Sequence, residues 1–166
     1  ASGTHTPVTF RSGGSSLSGQ TLGRGLVVDT RSGFQAVVKM ESTQVTAEPG
    51  VTLSRLNGHL LGAAKKVGPD PASLVASTLG GAVGNNSSGM TCGTKFNSYT
   101  TIIGAKIVFA DGLILDTLLP DAEKHLRTLK PKLVKELETI RDQIRADGSL
   151  SSEVTRLFTL KNTMGY

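Results

Sequence analysis

Tryptophan is absent, aromatic residues make up only 4% of the chain, and Cys92 is the single cysteine. An internal disulfide is therefore excluded, and with it a secreted, disulfide-framed domain. So few aromatic side chains also argue against an aromatic-cored β-sandwich. No apolar run is long enough to span a bilayer, and the N-terminus lacks the charged-then-apolar pattern of a leader. The sequence reads as soluble and cytoplasmic. The net charge of +5 raises nucleic acid as a partner. However, Lys and Arg are scattered, Lys65-Lys66 is the only adjacent lysine pair, and no aromatic residues interleave with them to stack on bases. A mildly basic solvated surface and no nucleic-acid partner is the reading that follows.

Three phosphate or nucleophile motifs are also missing. No GxxxxGK[ST] occurs, since Gly89 to Lys95 has neither the spacing nor the hydroxyl residue after the lysine. Gly23-Arg24-Gly25 leads into an apolar strand-like run and not a helix, so no Rossmann GxGxxG is present. Without a GxSxG elbow, the many serines read as hydrogen-bond donors and not as nucleophiles. Cys92 and the histidines show no metal-ligand spacing, and no metal site is expected.

What the chain has instead is glycine, 20 among 166 residues. That length suits one domain, and the glycine content suits an α+β fold rich in tight turns. Near the start, Val8 and Phe10 alternate with Thr9 as a half-buried strand, and Gly13-Gly14 stops it. The loop that follows holds Arg11, Ser12, Ser15, Ser16 and Ser18. Consecutive backbone N–H groups in such a loop form a nest for anions, phosphate oxygens above all, with hydroxyl donors and one positive charge alongside. The same composition makes flexible linkers, so the loop alone leaves both readings open.

Short buried strands are predicted at residues 25–30, 36–38 and 44–47, with turns at Gly33 and Pro49-Gly50. Leu53, Leu56, Leu60 and Ala64 then recur at helical spacing, capped by Thr52 and ending near Gly68-Pro69. His59 lies beside that stripe and carries no assigned task. Residues 69–93 are almost free of charge and full of Pro, Gly, Ser, Thr and Asn. Such a segment reads as ligand-lining, with Ser73, Ser77, Thr78, Asn85, Asn86, Ser87 and Ser88 as hydrogen-bonding groups. Asp70, its only formal charge, either caps the turn before Ala72-Ser73 or meets the ligand. Asp111-Gly112 between two apolar runs predicts a hairpin. From Asp121 the period becomes helical through Leu126, Leu129, Leu133, Leu137, Ile140 and Ile144, a packing stripe divided by Pro131. A last amphipathic segment follows Gly148. The close of the sequence carries no terminating signal and reads as a piece of something longer.

Four ordered segments, FRSGGSSLSGQ, EPGVTLSRLNGHL, GPDPASLVASTLGGAVGNNSSG and IGAKIVFADGLILDT, resemble the FAD-binding domain of the FAD-linked oxidase family. That is the fold of vanillyl-alcohol oxidase-like and p-cresol methylhydroxylase-like (PCMH-type) flavoenzymes. Within it the likeness runs toward FAD-linked D-lactate and glycolate dehydrogenases. The stretch NNSSGMTCGTKFNSYTT with the later FTLKNTMGY is similar to large bacterial members fused to an iron–sulfur region.

The resemblance implies a PCMH-type core over residues 1–118, with mixed sheets flanked by helices, and a helical insert over 119–166. It implies that the core is incomplete, lacking the family's first strand and helix, and that a substrate cap and a further flavin-contacting segment lie beyond. It places Arg11, Ser12, Gly13, Gly14, Ser15, Ser16 and Leu17 on the FAD phosphates, with Gln20 close by. Pro49 and Gly50 lie alongside the cofactor, and Asp70, Ala72, Ser73, Ser77, Thr78, Gly80 and Gly81 form the second stretch. Asn85, Asn86, Ser87 and Ser88 form the third. Members that attach flavin covalently through this loop carry His directly after the paired glycines, where this chain has Ser15; non-covalent FAD is implied. The implied enzyme oxidises a D-2-hydroxy acid, D-lactate first, and passes electrons to an acceptor such as a quinone or cytochrome. Peripheral attachment to a membrane and an iron–sulfur cluster would belong to the intact enzyme. Glycolate, D-2-hydroxyglutarate, an alcohol or a sugar is the alternative substrate, a non-redox nucleotide- or anion-binding module the alternative class. No catalytic residue is assigned.

Overall fold

A computed structural model describes residues 5–16 and 19–160. The chain divides into two compact units, one running as far as Thr101 and the other starting at Ile102.

In the first unit, β1 (Val8–Arg11) pairs in parallel with β2 (Leu26–Asp29), Val8 opposite Leu26 and Arg11 opposite Asp29. β3 (Val37–Met40) and β4 (Val45–Ala47) form an antiparallel pair with an irregular register between Val37 and Lys39. The β1–β2 pair is more exposed than the half-buried and buried strands predicted there. Phe10 is 67% exposed and Leu26 54%, because β1 and β2 form a two-stranded sheet among the described residues.

The core gathers instead under α1 (Leu53–Leu60). Thr52 accepts a hydrogen bond from the Arg55 amide at 3.2 Å, satisfying one of the donors that a helix start leaves unpaired. Leu53, Leu56 and Leu60 fall on one face and are buried, and Val51 joins them. Val37, Val45, Ala47, Val67 and Leu79 pack against that cluster. The helix ends earlier than its periodicity predicts: a 3-10 turn (Leu61–Ala63) follows, and Ala64 adopts φ +53. Ala64 is thus exposed and off the buried stripe, since a left-handed residue cannot continue the helix.

Beyond it, α2 (Leu79–Gly84) and α3 (Ser98–Thr101) are short. α2 lies inside the stretch expected to be ligand-lining loop. Three of its six residues are glycine, and intrinsic preference disfavours helix there. The Thr78 cap and packing against Pro49 override it.

In the second unit β5 (Lys106–Val108) and β6 (Ile114–Asp116) form the expected hairpin. The Phe109 amide donates to the Leu113 carbonyl, and Gly112 turns the chain at φ +87. α4 (Ala122–Leu129), α5 (Pro131–Ala146) and α6 (Gly148–Thr159) follow, with Pro131 opening α5 where its missing N–H costs nothing. Arg127 ties α4 to α5 through Glu138 at 2.7 Å. The leucine stripe is less buried than a packing stripe should be: Leu129, Leu137 and Ile140 are exposed, and Leu115 is the one buried apolar residue described in this unit. No described helix is long and apolar enough to cross a membrane.

Candidate flavin-binding site

The loop after β1 leaves the sheet at a defined point. Thr30 donates to the Arg11 carbonyl at 2.9 Å, and from Ser12 onward the ladder stops. The amides of Ser12, Gly13, Gly14 and Ser15 find no acceptor among the described residues. Gly14 takes φ +67, a left-handed step open to glycine at little cost. The Arg11 guanidinium folds back over this turn. A Cβ built on Gly14 would sit 3.1 Å from its Nη2. That guanidinium makes no hydrogen bond to another described residue, and neither do the hydroxyls of Ser12 and Ser15. Ser16 donates its hydroxyl to the Gln20 side chain, which fixes one edge of the loop. Leu17 and Ser18 lie outside the described residues.

The floor of the loop was not legible in the sequence. A Cβ on Gly13 would fall 2.4 Å from the Ala76 carbonyl oxygen, so backbone lies directly beneath it. One on Gly81 would fall 3.2 Å from the Ser12 Oγ, which puts the first loop beside α2. Pro49 and Gly50 join from the other side: Gly80 donates to the Pro49 carbonyl at 2.9 Å and Leu79 to the Val51 carbonyl at 2.8 Å. Leu53 donates to Ser77, and Thr52 bridges Thr78. Gly50 is enclosed by the carbonyls of Thr30, Gly33 and Phe34, leaving no room for a side chain.

These contacts sort the expected site residues into two kinds. Gly80 and Gly81 do not offer their amides to a ligand, because Pro49 and the Thr78 hydroxyl already accept from them. Glycine at position 80 is required by packing, since a Cβ there would lie 2.7 Å from that of Pro49. Ser73 and Ser77 share a hydrogen bond at 2.6 Å, and Ala72 is exposed. Asn86 is buried at φ +46 and its Oδ1 accepts from the Tyr99 amide at 3.0 Å, while the Ser87 carbonyl accepts from Ser98. Asn85 and Ser88 remain half-buried, with side chains that bond no other described residue.

Asp70 does not cap the turn before Ala72. Its Oδ2 accepts from the Thr91 amide at 3.1 Å and its Oδ1 from the Cys92 amide at 3.2 Å, and the Thr91 hydroxyl donates as well. Partial burial pushes this carboxyl up, but those hydrogen bonds outweigh it and hold the pKa at about 2. Asp29 is likewise held at about 2, chiefly by the side chain of Arg31. Sequence reasoning missed Ala76, Thr91, Cys92 and Tyr99, which act through backbone groups that no side-chain pattern announces, Thr91 adding its hydroxyl.

Taken together, residues 11–16 present amides, hydroxyls and one guanidinium, with no carboxylate among them. That donor set suits an anionic group approaching the backbone closely.

Residues 1–118 match the protein family described as the FAD binding domain, well over half of the chain. The chain belongs to this FAD-binding family of the FAD-linked oxidases. FAD is thus its cofactor, and a loop rich in donors and free of carboxylates fits the pyrophosphate that FAD carries. A D-2-hydroxyglutarate dehydrogenase from Pantoea ananatis (strain AJ13355) is 29% identical over 111 residues, covering 66% of this chain and 11% of that protein. Its counterpart from Escherichia coli (strain K12) shows the same identity and coverage. The chain therefore spans about 11% of the length of these curated relatives.

Proposed function

We propose that this chain is the cofactor-holding part of a flavin-dependent dehydrogenase that oxidises a D-2-hydroxy acid to the 2-oxo acid. The observation that carries the reading is the loop at residues 11–15, whose Arg11 guanidinium and whose amides from Ser12 to Ser15 find no partner among the described residues, lying on Ala76 and beside α2 in a chain of the FAD-binding family. Arg11 and the amides of Ser12, Gly13, Gly14 and Ser15 hold the pyrophosphate, without a covalent link because Ser15 stands where an attaching histidine would be. Pro49, Gly50, Thr78 and Gly80 set the distance between the loop and α2, and Asn85 and Ser88 are the polar side chains offered from the third stretch. Bound FAD supplies the acceptor for the hydride leaving the substrate C2.

The printed activity of the relatives supports D-2-hydroxyglutarate as the first acid to test, with D-lactate second. Residues 1–118 are the flavin-binding core of this proposal, and residues 119–166 a helical insert. Electrons leave to a quinone or cytochrome. The test is anaerobic mixing of the full-length protein with D-2-hydroxyglutarate, D-lactate or glycolate. Bleaching of the flavin's visible absorbance by one D-2-hydroxy acid supports the proposal. A bound flavin that none of them reduces would rule out this substrate class, and absence of flavin would favour a non-redox anion-binding module.

A further inference from the structure

We propose that Asp70 is a positioning residue for the flavin site, closing the segment between residues 71 and 90 from behind without touching the cofactor. This rests on the FAD reading above. Asp70 and its partners Thr91 and Cys92 lie 21 and 22 residues apart in sequence, and the intervening chain holds most of the second and third binding stretches. Tying the ends of a loop of that length removes conformational freedom that the cofactor would otherwise have to remove on binding.

The chemistry of the tie explains why the residue is an acid. Its two oxygens receive the Thr91 amide, the Cys92 amide and the Thr91 hydroxyl, and the Lys66 Nζ stands 3.5 Å from Oδ2 and 2.8 Å from the Thr91 Oγ1. An ionised carboxylate is acceptor-only and can meet all of these donors. An asparagine keeps one acceptor oxygen and turns an NH₂ toward another donor. The Asp70 side chain is only 12% exposed. Gly89 completes the closure, because a Cβ there would lie 2.0 Å from the Asp70 Oδ1 and 2.1 Å from its carbonyl oxygen. With both oxygens engaged, Asp70 acts on FAD through the placement of residues 85–90.

The experiment compares full-length wild type with Asp70→Asn, Thr91→Val and the double variant. FAD affinity is measured by fluorescence titration, and amide hydrogen exchange of the apoprotein is followed in parallel. Asp70→Asn is expected to weaken FAD about tenfold or more and to speed exchange at residues 88–92 while α1 stays protected. The Thr91→Val loss is expected to be smaller, and the two losses to combine to less than their sum. Should Asp70→Asn fail to fold, Thr91→Val alone must still show weaker FAD binding with the same localised exchange. Unchanged affinity, weaker affinity without faster local exchange, or fully additive losses would each overturn the proposal, the last two pointing to direct contact with FAD. Failure of the wild type to bind FAD overturns the flavin reading instead, and the exchange at residues 88–92 then still decides whether Asp70 closes the segment.

Discussion

Gly13 and Gly14 are adjacent and chemically identical, yet the structure gives them different tasks. Gly13 sits on the Ala76 carbonyl, so Gly13→Ala must displace backbone, at a cost of about 1–3 kcal/mol in a denaturant titration. Gly14 faces only the flexible end of Arg11, and its constraint is φ +67. Gly14→Ala is expected to cost about 1 kcal/mol of backbone strain and to weaken FAD about tenfold, as expected for one lost hydrogen bond to a charged group. Equal affinity for FAD in Gly14→Ala and wild type would remove Gly14 from the site. That the loop is built of donors was readable from its letters, because glycine, serine and arginine allow little else. That Ala76 forms its floor was not, since the contact is with a carbonyl that every residue possesses. That glycine is needed at position 80 because Pro49 packs against it was not readable either. Asp29 and Asp70 also carry a pH dependence. Each is held at about 2 when folded against an ordinary value of 3.8, so the unfolded chain binds more protons between those values. Their contribution to stability is whole above about pH 4 and declines as the pH falls toward 2. Asp29 is exposed and screened, so most of the effect belongs to Asp70. Urea midpoints measured across that range should fall, and should fall less in Asp70→Asn; parallel curves would contradict the hydrogen bonding described for Asp70.

Among the elements, α1 was the most legible, because its cap, its periodicity and its burial all agree. Thr52→Ala is expected to cost about 1 kcal/mol through loss of the bond from the Arg55 amide, and Leu56→Ala about 2–5 kcal/mol from the fully buried core. Gly58 lies in the exposed middle of the same helix with open space around it, so Gly58→Ala should stabilise the protein by about 0.5–1 kcal/mol. A midpoint that falls in Gly58→Ala would contradict the helix boundaries. α2 was hidden by its own composition, since a run of Leu, Gly and Ala flanked by Asn and Ser carries no helical stripe. The helix exists because Thr78 caps it and Pro49 and Val51 accept its first amides, which are tertiary facts. The strands were located correctly, but the burial of β1 and β2 was not. An apolar strand reads as buried whether or not another layer covers it, and β1 and β2 expose most of their apolar residues in the described structure.

At the scale of the whole molecule the sequence showed an α+β chain with a glycine-rich, donor-rich first part and a helical second part. The structure adds that the first unit folds around α1 and brings residues 11–16, 49–50 and 76–81 together, although they are separated by tens of positions in the chain. The proposed binding surface rests on that convergence, which depends on pairings between backbone groups distant in sequence. The most direct test is a fluorescence and absorbance titration of the apoprotein with FAD, with FMN and riboflavin in parallel. A site that grips the pyrophosphate through the loop after β1 predicts saturable binding of FAD, tighter than FMN and much tighter than riboflavin, with the preference weakened in Gly14→Ala. Binding of riboflavin as tightly as FAD, or of none of the three, would contradict the assignment of that loop to the phosphates.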